Sequence, residues 1–152
     1  MSIEDFKGLM DAFEPASLLP ELEPILGKLA VVVRIAVLIG PAMLVIMGLL
    51  YLFAAPKEAN YHFGYRCYFG MGSVQAWRFT QRIAGMALGG LGAVLTVVMF
   101  FVCLSFGGLD PVALMERAVI CLLWEAGLAG LAYLAIVILV TVTYDKNGYR
   151  RK

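Results

Sequence analysis

Three long apolar runs dominate the pattern of hydrophobic and polar positions along the chain. They cover residues 29–55, 83–109 and 118–144, and their charged side chains are Arg34 in the first run and Glu125 in the third. Each run is 27 residues long, and a helix of that length measures about 40 Å at ~1.5 Å per residue. A hydrocarbon core is about 30 Å thick, so each run can span it with some tilt. Alternation with a period of two, typical of a β-barrel, is absent, so the pattern predicts an all-α membrane protein with three transmembrane helices.

Local residues predict where these helices begin and end. Pro24 marks a possible start for the first helix, since proline suits a first helical turn. Ser73 is a cap residue ahead of the second helix, which would then begin before its apolar run. The pair 107–108 is Gly-Gly and should end the second helix, and Asp110 followed by Pro111 should open the third.

The residues before the first run form a separate segment, 1–28. Several apolar residues there share one helical face: Ile3, Phe6, Leu9, Met10 and Phe13. We therefore expect a short amphipathic helix at the membrane surface, although its acidic opposite face leaves a loosely held leader as an alternative. The predicted three-helix domain follows at 29–144, and a basic tail ends the chain at 145–152.

Composition supports a membrane protein and argues against nucleic-acid binding and metal sites. Residues of the AVILMFWYC set make up 62% of the chain, 15% is charged, and the mean hydropathy is +0.87. A soluble domain of this size has too little core to bury that much apolar surface. The net charge of +1 gives no support for a nucleic-acid partner. The three cysteines are widely spaced and there is one histidine, so we expect no metal site, disulfide framework or cofactor.

The distribution of Lys and Arg predicts the orientation. Eight such residues lie in the loop between the first two runs or follow the third run: Lys57, Arg66, Arg78, Arg82, Lys146, Arg150, Arg151 and Lys152. Four lie toward the other side: Lys7, Lys28, Arg34 and Arg117. Because basic residues are enriched on the cytoplasmic side, we expect the N-terminus outside and the C-terminus inside.

The loop between the first two runs is rich in aromatic and basic residues. Seven of the eighteen aromatic residues lie between positions 56 and 82: Tyr61, Phe63, Tyr65, Tyr68, Phe69, Trp77 and Phe79. Such rings are typical of the headgroup level of a membrane. The interleaved Arg66, Arg78 and Arg82 suit lipid phosphates or backbone carbonyls. On composition alone, the favoured interpretation is an ordinary cytoplasmic interfacial loop that follows the distribution of basic residues.

The order of residues in this loop is more specific than its composition. The chain has a spaced set of matches to one family pattern: Asn60, Gly64, Tyr65, Arg66, Ser73, Trp77, Arg82 and Gly85. In this it resembles the SdpI family of bacterial membrane proteins, named after an immunity protein against a secreted toxic peptide. It departs from that pattern at Cys67, where Thr is usual, and at Gln81, where Asn is common.

The resemblance implies a function without catalysis. Members of this family are multi-pass proteins of the bacterial cytoplasmic (plasma) membrane that protect against, or signal the presence of, a toxic peptide. A toxic peptide, a regulator protein and membrane lipid are the partners that the resemblance and the loop suggest. The resemblance covers residues 56–90 closely, and the three-span layout more loosely.

Arg34 and Glu125 are candidate functional residues because a charge inside the membrane is costly. Both should lie in the outer half of the bilayer, so an ion pair between them is possible. Glu125 is then either a ligand-binding or proton-coupled carboxylate, or part of a structural pair in which Arg34 extends toward the surface.

Small residues predict close helix contacts. Gly85 and Gly89 form a GxxxG motif in the second span, and Ala126 and Gly130 form a weaker counterpart in the third. We expect these two faces to pack against each other, or across a homo-oligomer.

Two further functions remain open from the residues alone. One is a small proton-coupled transporter working as a dimer, with Glu125 as the exchange site. The other is an accessory subunit of a larger membrane complex. An enzyme is not expected, because no acid–base pair or activated nucleophile is apparent.

Overall fold

The computed structural model describes residues 15–60 and 62–151, with side chains from Gly27 onward. The predicted amphipathic segment around Ser2–Phe13 lies outside the described residues, as do Tyr61 and Lys152. Structural statements below refer to the described part of the chain.

Three long helices form the described part of the chain. Helix α1 covers Pro15–Leu49 and continues as a π-helical segment at Leu50–Ala54, α2 covers Val74–Leu104, and α3 covers Pro111–Thr143. Each contains a stretch long and apolar enough to cross a membrane: Gly27–Ala54, Val74–Leu104 and Pro111–Thr143. The described residues contain no strand. The chain is therefore an all-α, multi-pass membrane protein, as predicted.

Caps confirm two of the predicted helix starts. Ser73 Oγ accepts a hydrogen bond from the Ala76 backbone N–H at 3.1 Å ahead of α2. Asp110 Oδ2 accepts one from the Ala113 N–H at 3.2 Å ahead of α3. Each cap satisfies a first-turn N–H that has no partner within its helix.

The start of α1 corrects a prediction. Its described part begins at Pro15 rather than at Pro24. The helix passes through Pro24, which keeps the helical φ that proline already has and costs one backbone hydrogen bond.

The core consists of two apolar clusters at opposite ends of the bundle. The first joins the start of α1, the end of α2 and the start of α3 through Val33, Val37, Leu95, Met99, Cys103, Phe106, Leu114 and Ala118. The second joins the loop after α1 to the first half of α2 and the second half of α3 through Tyr65, Ala84, Leu88, Ile136 and Val140. Only 17%, 28% and 11% of the most apolar windows of the three spans is buried inside the protein. Lipid or other membrane helices must therefore cover most of their apolar surface.

Glycines bring α1 and α2 into backbone contact. A Cβ added to Gly48 would overlap the backbone of Gly89, and one added to Gly85 would lie 2.9 Å from the Gly48 carbonyl oxygen. One turn further, a Cβ on Gly92 would lie 2.6 Å from the Val45 nitrogen. The absence of side chains at these positions allows the two helices to approach this closely.

This contact corrects the predicted partner of the GxxxG motif. Gly85 and Gly89 do pack against another helix, but that helix is α1 and not the Ala126–Gly130 face of α3. Gly130 faces open space, and Ala126 is exposed. The physical reason is the rotation of the helices: Gly48 of α1 faces Gly85 and Gly89, whereas Ala126 and Gly130 lie on an exposed face of α3.

Candidate functional site

The loop from Ala55 to Ser73, here called the hairpin, folds back through a turn at Asn60. Asn60 Oδ1 accepts hydrogen bonds from the backbone N–H groups of His62 and Phe63, at 3.0 and 2.9 Å. An Asn side chain that bonds to the backbone a few residues on stabilises a turn. Gly64 follows with φ of +119°, a conformation that side chains rarely allow.

Gln81 of α2 holds the next hairpin residue at two points. Its Oε1 accepts a hydrogen bond from the Tyr65 N–H, and its Nε2 donates one to the Tyr65 carbonyl, both at 2.8 Å. Both side chains are buried, Gln81 with 4% of its surface exposed. One amide therefore satisfies both backbone groups of a buried loop residue, which would be costly to leave unpaired.

Trp77 fastens the first half of the hairpin to α2. The side chain is fully buried, and its Nε1 donates a hydrogen bond to the Pro56 carbonyl at 2.8 Å. A Cβ on Gly64 would lie 2.7 Å from two atoms of the Trp77 ring. The glycine thus supplies both the required φ and the space for the indole. Beside them, Arg78 Nε donates to the Lys57 carbonyl at 3.3 Å.

Tyr65 connects the hairpin to the other two helices. Its hydroxyl donates a hydrogen bond to the Tyr133 carbonyl of α3 at 3.2 Å, and its ring lies 6.0 Å from that of Tyr51 and 5.4 Å from that of Tyr133. Burial raises the pKa of the Tyr65 phenol. The hydroxyl therefore stays protonated at neutral pH and remains a donor.

The C-terminal tail packs against the same end of the bundle. Ser73 Oγ donates a hydrogen bond to the Gly148 carbonyl at 2.8 Å, and the rings of Phe79 and Tyr144 lie 5.4 Å apart. Gly148 has φ of +77°, and a Cβ there would collide with Ser73. The hairpin and the tail, which the charge count put on one side, are in direct contact.

The residues of the family pattern therefore have two kinds of role. Most of them shape the hairpin or its junction with α1 and α2: Asn60, Gly64, Tyr65, Ser73, Trp77 and Gly85, together with Gln81. Arg66 and Arg82 are exposed at its surface. Recognition of a partner by the hairpin would thus involve the arginines rather than the buried residues.

Cys67, where the family commonly has Thr, is expected to react slowly with alkylating reagents. Burial raises the pKa of its thiol, so less of the reactive thiolate is present at neutral pH. The test uses a protein in which Cys103→Ala and Cys121→Ala leave Cys67 as the cysteine to be alkylated. Its rate of alkylation should be at least about tenfold lower than that of a cysteine introduced by Tyr68→Cys into a Cys67→Ala background. Tyr68 is exposed, so equal rates would contradict the partial burial of Cys67.

A second candidate site lies within the membrane, between α1 and α3. A cavity of about 320 Å³ opens sideways there, lined by Gly40, Leu44, Leu122, Glu125, Ala126 and Ala129. We call it the lateral groove. Glu125 has 5% of its surface exposed, and its Oε1 is buried without a hydrogen-bond partner. A Cβ on Gly40 would lie 2.7 Å from Glu125 Oε2, so this glycine leaves the room that the carboxyl group occupies.

Arg34 does not complete the site through its Nε. That atom is also buried without a hydrogen-bond partner. The similar depths of Arg34 and Glu125 allow an ion pair between them. The structure does not form that pair between Arg34 Nε and Glu125 Oε1. A buried acceptor and a buried donor are both left for another group to satisfy.

Several residues of these sites gave no signal in the sequence. Gly40 and Gly48 are single glycines in an apolar run, and Tyr133 contributes a backbone carbonyl. The Asp145–Gly148 turn, in which the Gly148 N–H bonds to the Asp145 carbonyl at 3.0 Å, was detectable from its Asn-Gly pair.

Neither a search for metal-binding clusters nor comparisons with known proteins assign a function to these two sites. Within residues 15–60 and 62–151, no group of three or more His, Cys, Asp or Glu side chains is placed to hold a metal ion. Comparisons with protein-family models, curated proteins and solved structures find no match to this chain.

Proposed function

We propose that the chain is a non-catalytic protein of the SdpI type that senses, or protects against, a membrane-active toxic peptide. In this proposal it resides in a bacterial cytoplasmic membrane, with its N-terminus outside and the hairpin and C-terminus inside. The basic residues concentrated at the hairpin end support that orientation.

The observation that carries the proposal is the mutual contact of the family-pattern residues. Gly64 packs on Trp77, and Tyr65 is held by the amide of Gln81, a position where the pattern commonly has Asn. Ser73 caps α2, the helix that carries Trp77 and Gln81. A chance match would scatter over unrelated contacts. These positions instead build one connected unit, which supports reading the pattern as the signature of a shared hairpin.

The lateral groove offers a place for a peptide within the bilayer. In the proposed orientation, Glu125 lies in the outer half of α3, and a peptide that inserts from outside reaches this depth first. Gly40, Ala126 and Ala129 provide a smooth wall for a helix. Glu125 lines the groove, and its carboxyl group is the hydrogen-bonding partner that we propose for an amide or ammonium group of that peptide.

Cells that produce the protein are expected to survive higher concentrations of such a peptide than cells that lack it. Ala126→Leu, which fills the groove, should abolish the protection while leaving the amount of protein in the membrane unchanged. Ala135→Leu is the matched control, because Ala135 is exposed on α3 outside the groove. Survival curves over a panel of membrane-active peptides measure the effect. No difference between cells with and without the protein, for every peptide, would contradict the proposal.

A second candidate function, proton-coupled transport by a dimer, is favoured by the same unpartnered carboxyl group. A buried acid inside a span is often part of a proton relay. Proteoliposomes separate the two functions. Proton-linked flux that is retained in Glu125→Asp and lost in Glu125→Gln would support transport, whereas protection of cells without any such flux supports peptide sensing.

A further inference from the structure

A basic pocket lies at the hairpin end, separate from the lateral groove. It has a volume of about 250 Å³ and is lined by Tyr51, Leu52, Ala55, Pro56, Lys57, Arg78, Gln81 and Arg82. Three of these side chains are cationic and none is acidic. An anionic ligand would therefore meet attraction with no carboxylate in the lining to oppose it, because Glu58, next to Lys57 in the chain, is not a lining residue.

Two hydrogen bonds to the backbone shape this pocket. Trp77 Nε1 holds the Pro56 carbonyl at 2.8 Å, and Arg78 Nε holds the Lys57 carbonyl at 3.3 Å. Using Nε in this way leaves the terminal nitrogens of Arg78 free to bind. Arg82 lies one turn further along the same face of α2, about 6 Å along the axis at ~1.5 Å per residue.

The pocket continues into an apolar face. Residues four apart on α2 share one side of the helix, and after Arg78 and Arg82 that side continues with Met86, Gly90 and Val94, all exposed. Gly90 has open space beside it. On α1, Leu52 and Phe53 are exposed at the same end, Phe53 by 82%. The surface thus changes from cationic to apolar within one helical turn.

The geometry points to a binding site for an anionic phospholipid, with its phosphate between Lys57, Arg78 and Arg82 and an acyl chain along Met86 and Gly90. A guanidinium group can bind a phosphate through two parallel hydrogen bonds. The apolar face next to these cations suits an acyl chain. A free phosphate would use only the cationic half of this surface. The proposal does not depend on peptide sensing.

Native mass spectrometry of the detergent-solubilised protein, titrated with phosphatidylglycerol or phosphatidylcholine, tests the site. We expect tighter binding of phosphatidylglycerol, weakened about fivefold by Arg82→Gln, in line with ~1 kcal/mol per cation near an anionic membrane surface. Arg150→Gln is the matched control, because it removes one exposed charge at the same end but outside the pocket. It should leave the affinity unchanged.

Three outcomes would overturn the proposal. One is equal binding of phosphatidylcholine, and another is an equal loss of affinity in Arg82→Gln and Arg150→Gln. The third is displacement of phosphatidylglycerol by millimolar glycerol phosphate, which would assign the pocket to a soluble phosphate. Lys57→Gln repeats the test at a loop residue whose side chain is exposed, so a folding defect of one variant does not decide the result.

Discussion

Gly48→Ala is expected to lower the free energy of unfolding by about 1–3 kcal/mol, the usual cost of adding a methyl group to a filled contact. The new Cβ would overlap the backbone of Gly89 and approach the Gly85 carbonyl. Neither helix backbone can rotate out of the way as a flexible side chain would. The α1–α2 contact must therefore open, and Gly48→Val should prevent stable folding. Reversible unfolding in mixed micelles measures the change.

Gly90→Ala is the matched control for this prediction. Gly90 is also a helix-interior glycine, but a Cβ there meets nothing within 4 Å. Because alanine favours a helix over glycine by roughly 1 kcal/mol, this variant should be as stable as the parent or more so. If Gly48→Ala and Gly90→Ala unfolded alike, close packing at Gly48 would not be the source of stability.

Gln81→Ala should have a still larger effect, confined at first to the hairpin. It leaves the N–H and the carbonyl of buried Tyr65 without partners. Each unpaired buried group costs about 1–3 kcal/mol, so the loss is about 2–6 kcal/mol. That approaches the whole stability of many proteins. The hairpin should open, and trypsin should cleave after Lys57 and Arg66 much faster than in the parent.

Gln75→Ala is the control for this experiment. Gln75 lies in the first turns of the same helix but is exposed, so its removal should leave the tryptic rate unchanged. If the Gln81→Ala protein were cleaved by trypsin as slowly as the parent, the Gln81 amide would not be what holds Tyr65 in place. Gln81→Glu adds a further test, because a carboxylate can accept from the Tyr65 N–H but cannot donate to its carbonyl.

Predictions from the sequence were most successful where the deciding interactions are local. The caps at Ser73 and Asp110 depend on residues three positions away, and each span is recognisable from its own composition. The same reasoning could not find the partner of Gly85 and Gly89. Both neighbouring helices offered small residues, and only the relative rotation of the helices put Gly48 opposite them.

The candidate sites show the same contrast between what local sequence predicts and what helix packing decides. Sequence order marked Gly64 and Trp77 as members of one pattern, with Gln81 at a position where that pattern commonly has Asn, without showing that these residues touch. Depth along the helices put Arg34 and Glu125 in the same half of the membrane. It did not show that Gly40 makes room for the carboxyl group, or that Oε1 is left without a partner. Depth follows from counting residues along one helix, whereas lateral position depends on how three helices are rotated.

The amino-acid sequence alone determined that this chain enters lipid three times, where α2 and α3 begin, and which end carries the positive charge. Those properties follow from hydropathy, capping and charge within short stretches of chain. The tertiary structure decided which glycines meet, which backbone groups Gln81 satisfies, and which surfaces stay open as a groove and a pocket. These features require atoms far apart in sequence to lie within a few ångströms, and such contacts are settled only when the helices pack together.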